Sequence, residues 1–184
     1  MEIRKYQPKD KENLRDICHL TARDKVYKEN KELVYTLYCD YYCDQEPENI
    51  FVVADENDNA VGYILCALDY DKFFKTFNKI YLPRVKKLSR FHAFIHRAEQ
   101  FVYRDIKKQY PAHLHIDLLP VCQGRGFGTK LIGMLCEHLK GLGLSGLSLG
   151  VGADNEGAIR FYERLGFKQL KAPFGKAIIF GKKL

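Results

Sequence analysis

Seven consecutive residues, Gln123-Gly124-Arg125-Gly126-Phe127-Gly128-Thr129, carry glycine at every second position from 124 to 128. Glycine lacks a Cβ and reaches left-handed backbone conformations, so such a run turns sharply and brings its amides close to a ligand. It opens an apolar-periodic segment read as a helix from Thr129 to Lys140, and amides at a helix N-terminus attract anions. A phosphate or pyrophosphate is the expected guest, with Arg125 and Lys130 adding positive charge. A dinucleotide fingerprint would need glycine where Thr129 stands, and a nucleotide-triphosphate loop would need Lys-Ser or Lys-Thr after a longer glycine spacing. Neither pattern is met. A tight strand-to-helix turn with no ligand is the competing reading of the heptapeptide.

The stretch feeding this loop, Ala112 to Leu119, reads as a strand that follows the helix stop Tyr110-Pro111. Period two puts His113, His115 and Asp117 on one face and Leu114, Ile116 and Leu118 on the other. Polar groups on a central strand are costly to bury alone. This face is therefore either a row of satisfied structural groups or the wall of a polar site. Cys39 and Cys43 stand four apart, as do His92 and His96, but neither pair has Cys-x-x-Cys or His-Glu-x-x-His spacing, and no metal is expected.

The elements that must position these residues alternate along the chain. A strand at Glu2–Tyr6 is followed by a helix with Asp10 as candidate N-cap, running to about Ala22. A second helix spans about Lys31 to Cys43, with Tyr35, Tyr38, Tyr41 and Tyr42 crowded along it. Ile50–Ala54 and Val61–Leu68 form a hairpin across the turn Asp55–Asn59, whose Asn and Asp residues favour turn geometry. Between Asp69 and Tyr110 the pattern predicts a helix interrupted at Pro83 and a longer one from Leu88 to Ile106. After the loop and its helix come a strand at Leu144–Val151, a helix capped around Asp154-Asn155-Glu156, and strands at Phe167–Leu170 and Ala177–Phe180. The alternation describes a mixed α/β (α+β) single domain over 1–184 around one sheet, with a helical insertion at about 69–110.

Composition narrows the class. The 184 residues are 46% hydrophobic and 29% charged, as in an ordinary globular protein. No apolar run approaches the roughly 18 residues of a membrane span, and Met1–Lys5 lacks the apolar core of a signal peptide. Six cysteines spread along such a chain read as reduced thiols, so the expected location is cytoplasmic. The net charge of +7, from 30 basic and 23 acidic residues, suits a phosphate-rich ligand. The basic excess gathers at Lys75–Lys108 and at Lys171, Lys176, Lys182 and Lys183, read as solvated faces, and no nucleic-acid-binding signature is present.

Two motifs stand in order in the second half of the chain: Gln123-x-x-Gly126-x-Gly128, and Asn155-x-x-Ala158-x-x-x-Tyr162-x-x-x-Gly166-Phe167. Together they resemble the GNAT superfamily of acetyl-CoA-dependent N-acetyltransferases, strongly from His113 to Leu170 and by order of elements toward the N-terminus. Residues 69–110 are longer and more helical than the usual link. The resemblance implies a central mixed, mostly antiparallel sheet of about six to seven strands flanked by helices. It also implies that the amides of Gln123, Gly124, Arg125, Gly126, Phe127, Gly128 and Thr129 hold the coenzyme A pyrophosphate. Leu118 and Leu119 would pair with the pantetheine arm at a gap between Ile116–Leu119 and Leu147–Val151. Asn155 would hold the arm from the other side, and Tyr162 would sit near the sulfur. The link Pro120-Val121-Cys122 is shorter than usual, which leaves the register of Leu118 and Leu119 open by one residue.

The implied activity is transfer of the acetyl group of acetyl-CoA to a primary amine by direct attack in a ternary complex. The oxyanion needs a donor, most simply a backbone N–H at the strand end, and the amine needs a base. His115 and Asp117 are the candidates, imidazole ordinarily titrating near about 6.5 and carboxylate near about 3.9. Water is the third. The acceptor would be a small molecule or a peptide, with neither nucleic acid nor membrane as partner and a homodimer open to it. The alternative is a non-catalytic acyl-CoA-binding or protein-interaction module of the same fold.

Overall fold

The β-branched, apolar run Phe51–Ala54 (β2) returns as Ala60–Ala67 (β3), and the turn between them closes on Asp55, whose carboxylate accepts from the N–H groups of Asn57 and Asn59 at 2.9 Å. In the computed structural model, which describes residues 1–184 with the side chain of Phe174 excepted, this hairpin lies near one end of a seven-stranded sheet. The other strands are Glu2–Lys5 (β1), Ala112–Leu118 (β4), Gly146–Gly152 (β5), Lys168–Lys171 (β6) and Ala177–Lys183 (β7). Their order is β1-β2-β3-β4-β5-β7-β6, and every pair is antiparallel except β4 with β5. The mixed, mostly antiparallel sheet expected from the sequence is the one observed.

Alternation along the strands builds two cores. Tyr63, Leu65 and Ala67 of β3 face helices α1 (Lys11–Thr21), α3 (Lys31–Tyr38) and α4 (Asp40–Gln45). Ile64 and Cys66 face α8 (Phe127–Gly141), and the same layer holds α9 (Glu156–Arg164). All six cysteines are free and buried. Among the described residues no helix is long and apolar enough to cross a membrane.

Local expectations fail where a buried charge or a cap decides. Asp10 holds the N-cap position of α1 as expected, but its side chain does not cap the helix: the carboxylate is buried, accepts from the N–H of Gln7 at 2.8 Å and pairs with Arg4 at 2.7 Å. The helix expected over 31–43 breaks at Cys39, which turns Asp40 inward to meet Arg15 at 2.8 Å and Arg84 at 3.3 Å. A short α2 (Lys25–Glu29), capped by Asp24, carries no apolar stripe and escaped the periodicity. Pro83 does not end a helix but begins one: α5 (Tyr70–Ile80) is followed at once by α6 (Leu82–Leu88), with proline in the first turn where its missing N–H costs nothing. Ser89 then caps α7 (Arg90–Tyr103), so the long helix starts after Leu88.

The insertion α5–α7 covers the polar face of β4. Phe73, Phe77, Tyr81, Leu82 and Val85 are buried under it. His113 stacks on Tyr70 at 4.4 Å between ring centroids, and Phe77 packs on His96 at 4.1 Å. Both histidines are more than nine-tenths buried, and burial pushes them down to about 3 and about 4 respectively. A histidine held neutral in the fold gains its proton only on unfolding. Stability present above an ordinary value of 6.5 is therefore lost as pH falls toward the native values. Each should contribute a slope of about 1.4 kcal/mol per pH unit in that window. Urea unfolding at pH 7, 6 and 5 should show a steep loss that is shallower in His113→Leu; equal slopes in both proteins would contradict the assignment.

Candidate active site

Strands β4 and β5 pair only at Ala112 with Leu147 and His113 with Ser148, whereas β5 stays in register with β7 along its whole length. Beyond His113 the two parallel strands part. Leu119 gives its N–H to the carbonyl of Val61 at 3.1 Å, in phase with the pairs Asp117–Tyr63 and His115–Leu65. By the alternation of an antiparallel ladder, Ile116 and Leu118 therefore turn their N–H and C=O toward the gap. Of the two residues whose register the short link left open, Leu118 is the one with backbone groups beside the gap. Leu119 instead packs against the helical core on the other side of the sheet. The Leu118 carbonyl accepts from Gln123 Nε2 at 2.8 Å.

The loop beside this gap follows from its glycines. Gly124 and Gly126 have φ of +69° and +78°, where a Cβ would be strained. Gly126 is the N-cap of α8 and has no side chain to satisfy the helix, whose first closing bond runs from Lys130 N–H to Gly126 O at 3.1 Å. Among the described residues, the N–H groups of Phe127, Gly128 and Thr129 have no acceptor. Gly128 is small for another reason: a Cβ there would stand 3.1 Å from Phe161 Cζ of α9.

Loop, strand end and α9 enclose a groove of about 680 Å³, bordered by Leu118, Gln123, Gly126, Thr129, Asn155 and Tyr162. Arg125 and Lys130 lie 5.9 Å and 5.8 Å from the ring of Phe127. Asn155 caps α9, its Oδ1 accepting from Ala158 N–H at 3.2 Å. Uncapped helix amides, flanking cations and a free strand edge are the donor set that a pyrophosphate with a peptide-like arm requires. Acetyl-CoA fits these residues.

Asp117 stands where this groove meets a second cavity of about 520 Å³, the two sharing Thr21, Arg23 and Asp117. Tyr162 is nine-tenths buried on the groove side. Burial, and then the nearby Asp117 charge, holds its hydroxyl well above the usual tyrosine range. On the other side Tyr63 donates to Asp117 Oδ2 at 2.5 Å and lies 3.2 Å from His115 Nδ1, which is itself 3.5 Å from the carboxylate. Tyr63 has one hydroxyl hydrogen and gives it to Asp117. His115 Nδ1 is then left as the donor of that cluster, and Nε2 as its basic nitrogen. Tyr38 stacks on the same imidazole at 5.5 Å and 16°, fixing the ring. Burial raises the Asp117 carboxyl.

His113, the third polar residue on this face, belongs to a deeper pocket of about 260 Å³ and is separated from the junction. Sequence reasoning missed Tyr63, Arg23 and Cys18. Tyr63 was recoverable only from the β3–β4 register, and Cys18 only from the packing of α1 on β4. The ligand atoms of Cys18, His115 and Asp117 lie within 4.8 Å of one another. The Tyr63 hydroxyl already engages two of the three, and burial holds the Cys18 thiol well above its usual value, so we read them as proton-handling and packing groups. Cys39 and Cys43, 3.8 Å apart, lie in the core away from the cleft.

The geometry has relatives. The acetyltransferase (GNAT) family matches residues 14–167, and the chain belongs to that family. It is thus an acyltransferase of the N-acetyltransferase type. The chain is 29% identical to N-alpha-acetyltransferase 30 of Schizosaccharomyces pombe over 164 residues, covering 89% of this chain and 83% of that protein. It is 44% identical over 66 residues to an uncharacterized N-acetyltransferase of Methanocaldococcus jannaschii, a match spanning 35% of this chain and 29% of that protein's length. The crystal structure of SsHAT superposes with a TM-score of 0.86 at 31% identity, covering 99% of this chain and 97% of that one.

Two substitutions test the cluster. Tyr63→Phe should lower kcat on the order of tenfold through a misplaced His115 while leaving the KM for acetyl-CoA unchanged. Asp117→Asn should lower activity more, yet raise the melting temperature at neutral pH. A fold that disfavours the charged carboxyl loses stability as pH rises from the ordinary carboxylate range through the raised native value. The gain should vanish at acid pH. An Asn variant less stable than the parent at neutral pH would contradict this assignment.

Proposed function

We propose that the protein transfers the acetyl group of acetyl-CoA to a primary amine by direct attack within a ternary complex, the α-amino group of a polypeptide being the acceptor class. The observation that carries this reading is the meeting of two cavities at Asp117: one has the donors for a pyrophosphate and its arm, the other holds the His115–Asp117–Tyr63 cluster. Two substrates can therefore approach one point from opposite sides. The resemblance to N-alpha-acetyltransferase 30 supports the polypeptide terminus as acceptor. Six buried thiols without a disulfide suit a reducing, cytoplasmic setting.

When bound, acetyl-CoA supplies an activated acyl group and a thiolate leaving group. The chain's own residues do the rest. The amides of Phe127, Gly128 and Thr129 hold the pyrophosphate at the positive end of α8. Leu118 and Ile116 offer backbone N–H and C=O to the arm, and a strand N–H there faces developing negative charge on the carbonyl oxygen. His115 Nε2, aligned by Tyr63 and Tyr38, takes the proton that the amine loses. Tyr162 stays protonated and gives a hydrogen bond to the sulfur. An ordinary tyrosine, near 10, would already lose roughly 2 kcal/mol in protonating a thiolate near 8.5, and burial makes full transfer less favourable still.

Titration calorimetry with acetyl-CoA on the parent and on Gly126→Trp tests the cofactor side. The parent should bind and the variant should not, while circular dichroism shows both folded. Tyr162→Phe should keep binding and lose on the order of tenfold to a hundredfold in kcat. No binding to the parent would sink the enzyme reading; binding with no acetylation of any peptide amine would favour an acyl-CoA-binding module.

A further inference from the structure

The net charge of the molecule resides in one segment. From Lys72 to Ala98 the chain carries eight of its 30 basic residues and none of its 23 acidic ones. The remainder holds 22 against 23 and is almost neutral. That segment is the insertion α5–α7, and Lys75, Lys79, Lys86, Lys87, Arg90 and Arg97 are exposed with no ion pair among the described residues. Only Lys72 and Arg84 are paired, with Glu46 and Asp40. On α7 the basic residues flank an apolar stripe turned to solvent: Phe91 is 67% exposed, Phe94 70% and Phe101 76%. Burying such a stripe against a partner is what would repay its exposure.

Two grooves meet along this helix. One, of about 460 Å³, runs between α6 and α7 and is bordered by Lys86, Arg90 and Arg97. The other, of about 340 Å³, is apolar, lying between α7 and β7 with Ile95, Ala98, Val102 and Ile179 on its walls. Phe94 borders both. The apolar groove is continuous with the catalytic cleft: it shares Glu99, Tyr103 and Ala177 with the deep pocket beneath His115, and Lys176 with the cavity at Asp117. A chain leaving the cleft thus meets an apolar trough first and a basic trough after it.

We propose that this path is the docking surface for the acceptor polypeptide, and that it selects acceptors whose reactive amine is followed by bulky apolar residues and then by an acidic stretch. The inference rests on the reading of the cleft as an amine acetyltransferase, since it takes the occupant of the surface to be the substrate of that cleft. Continuity with the cleft favours a polypeptide over other polyanions. Ile95, Ala98, Val102 and Ile179 give the trough apolar walls for side chains, with the Glu99 carboxyl on the same lining as Lys176, and a concave groove suits a chain better than a lipid surface.

Two fluorescein-labelled peptides test the surface. They share an apolar N-terminal half and carry beyond it either a run of glutamates or a run of lysines. Anisotropy at low salt should show the glutamate peptide binding on the order of tenfold more tightly, an advantage that high salt removes. Lys86→Glu/Arg90→Glu/Arg97→Glu should abolish that preference, and Phe94→Ser should weaken both peptides. In acetylation assays the same triple variant should raise KM for the glutamate peptide with kcat, and turnover of a short amine lacking the tail, unchanged. Equal binding of both peptides would overturn the proposal. So would a preference for an RNA oligonucleotide or for vesicles of anionic lipid that the triple variant abolishes while peptide KM stays fixed. Preferential peptide binding without any acetyl transfer would refute the catalytic reading and leave the surface standing, so the two failures are distinct.

Discussion

Two adjacent parallel strands that stop bonding after two residue pairs leave backbone N–H and C=O groups of β4 without partners inside a protein. Such groups cost roughly 1–3 kcal/mol each unless something satisfies them. Here the parting is held open from both sides. β5 is committed to β7 over seven pairs, and β4 to β3 over six. Neither strand can rotate to close the gap without breaking a ladder. The free edge at Ile116 and Leu118 is therefore a built feature, and Gln123 occupies the Leu118 carbonyl in the meantime.

The same parting organises the side chains. Because the ladder phase turns Ile116 and Leu118 backbone groups to the gap, it also fixes His115 and Asp117 on the face that looks toward α1 and α3. Tyr63 directly opposite Asp117 makes that polar row tolerable, giving the carboxylate a donor and the imidazole a stacking partner. His113, one step further back, has no such donor and is held neutral under Tyr70 and Phe73. One strand face thus divides into a packed end and a reactive end. The division falls where the insertion α5–α7 stops covering it.

Much of this was legible because its causes are local. Alternate glycines announce a positive-φ turn, and Gly124 and Gly126 have it. Asn155 before a helical stripe announces a cap, and it caps. Alternation alone placed His113, His115 and Asp117 on one face. What escaped was non-local. The roles of Tyr63 and Cys18 depend on which residues of β3 and α1 lie beside β4, and no periodicity encodes that. Asp10 reads only as a helix cap until Arg4 is seen to reach it, and nothing in the periodicity of 31–43 marks Asp40 as the buried partner of Arg15. Pro83 could equally end a helix or begin one, and the buried Leu82 and Val85 decided for a beginning.

The central claim is that the open edge of β4 and the uncapped turn of α8 are one binding surface. Amide hydrogen exchange read by nuclear magnetic resonance, with and without CoA, tests it residue by residue. The account predicts new protection at Ile116, Leu118, Phe127, Gly128 and Thr129, and none at Leu119, whose N–H is already given to Val61. Protection that spared the α8 turn, or that appeared at Leu119 in place of Leu118, would contradict it.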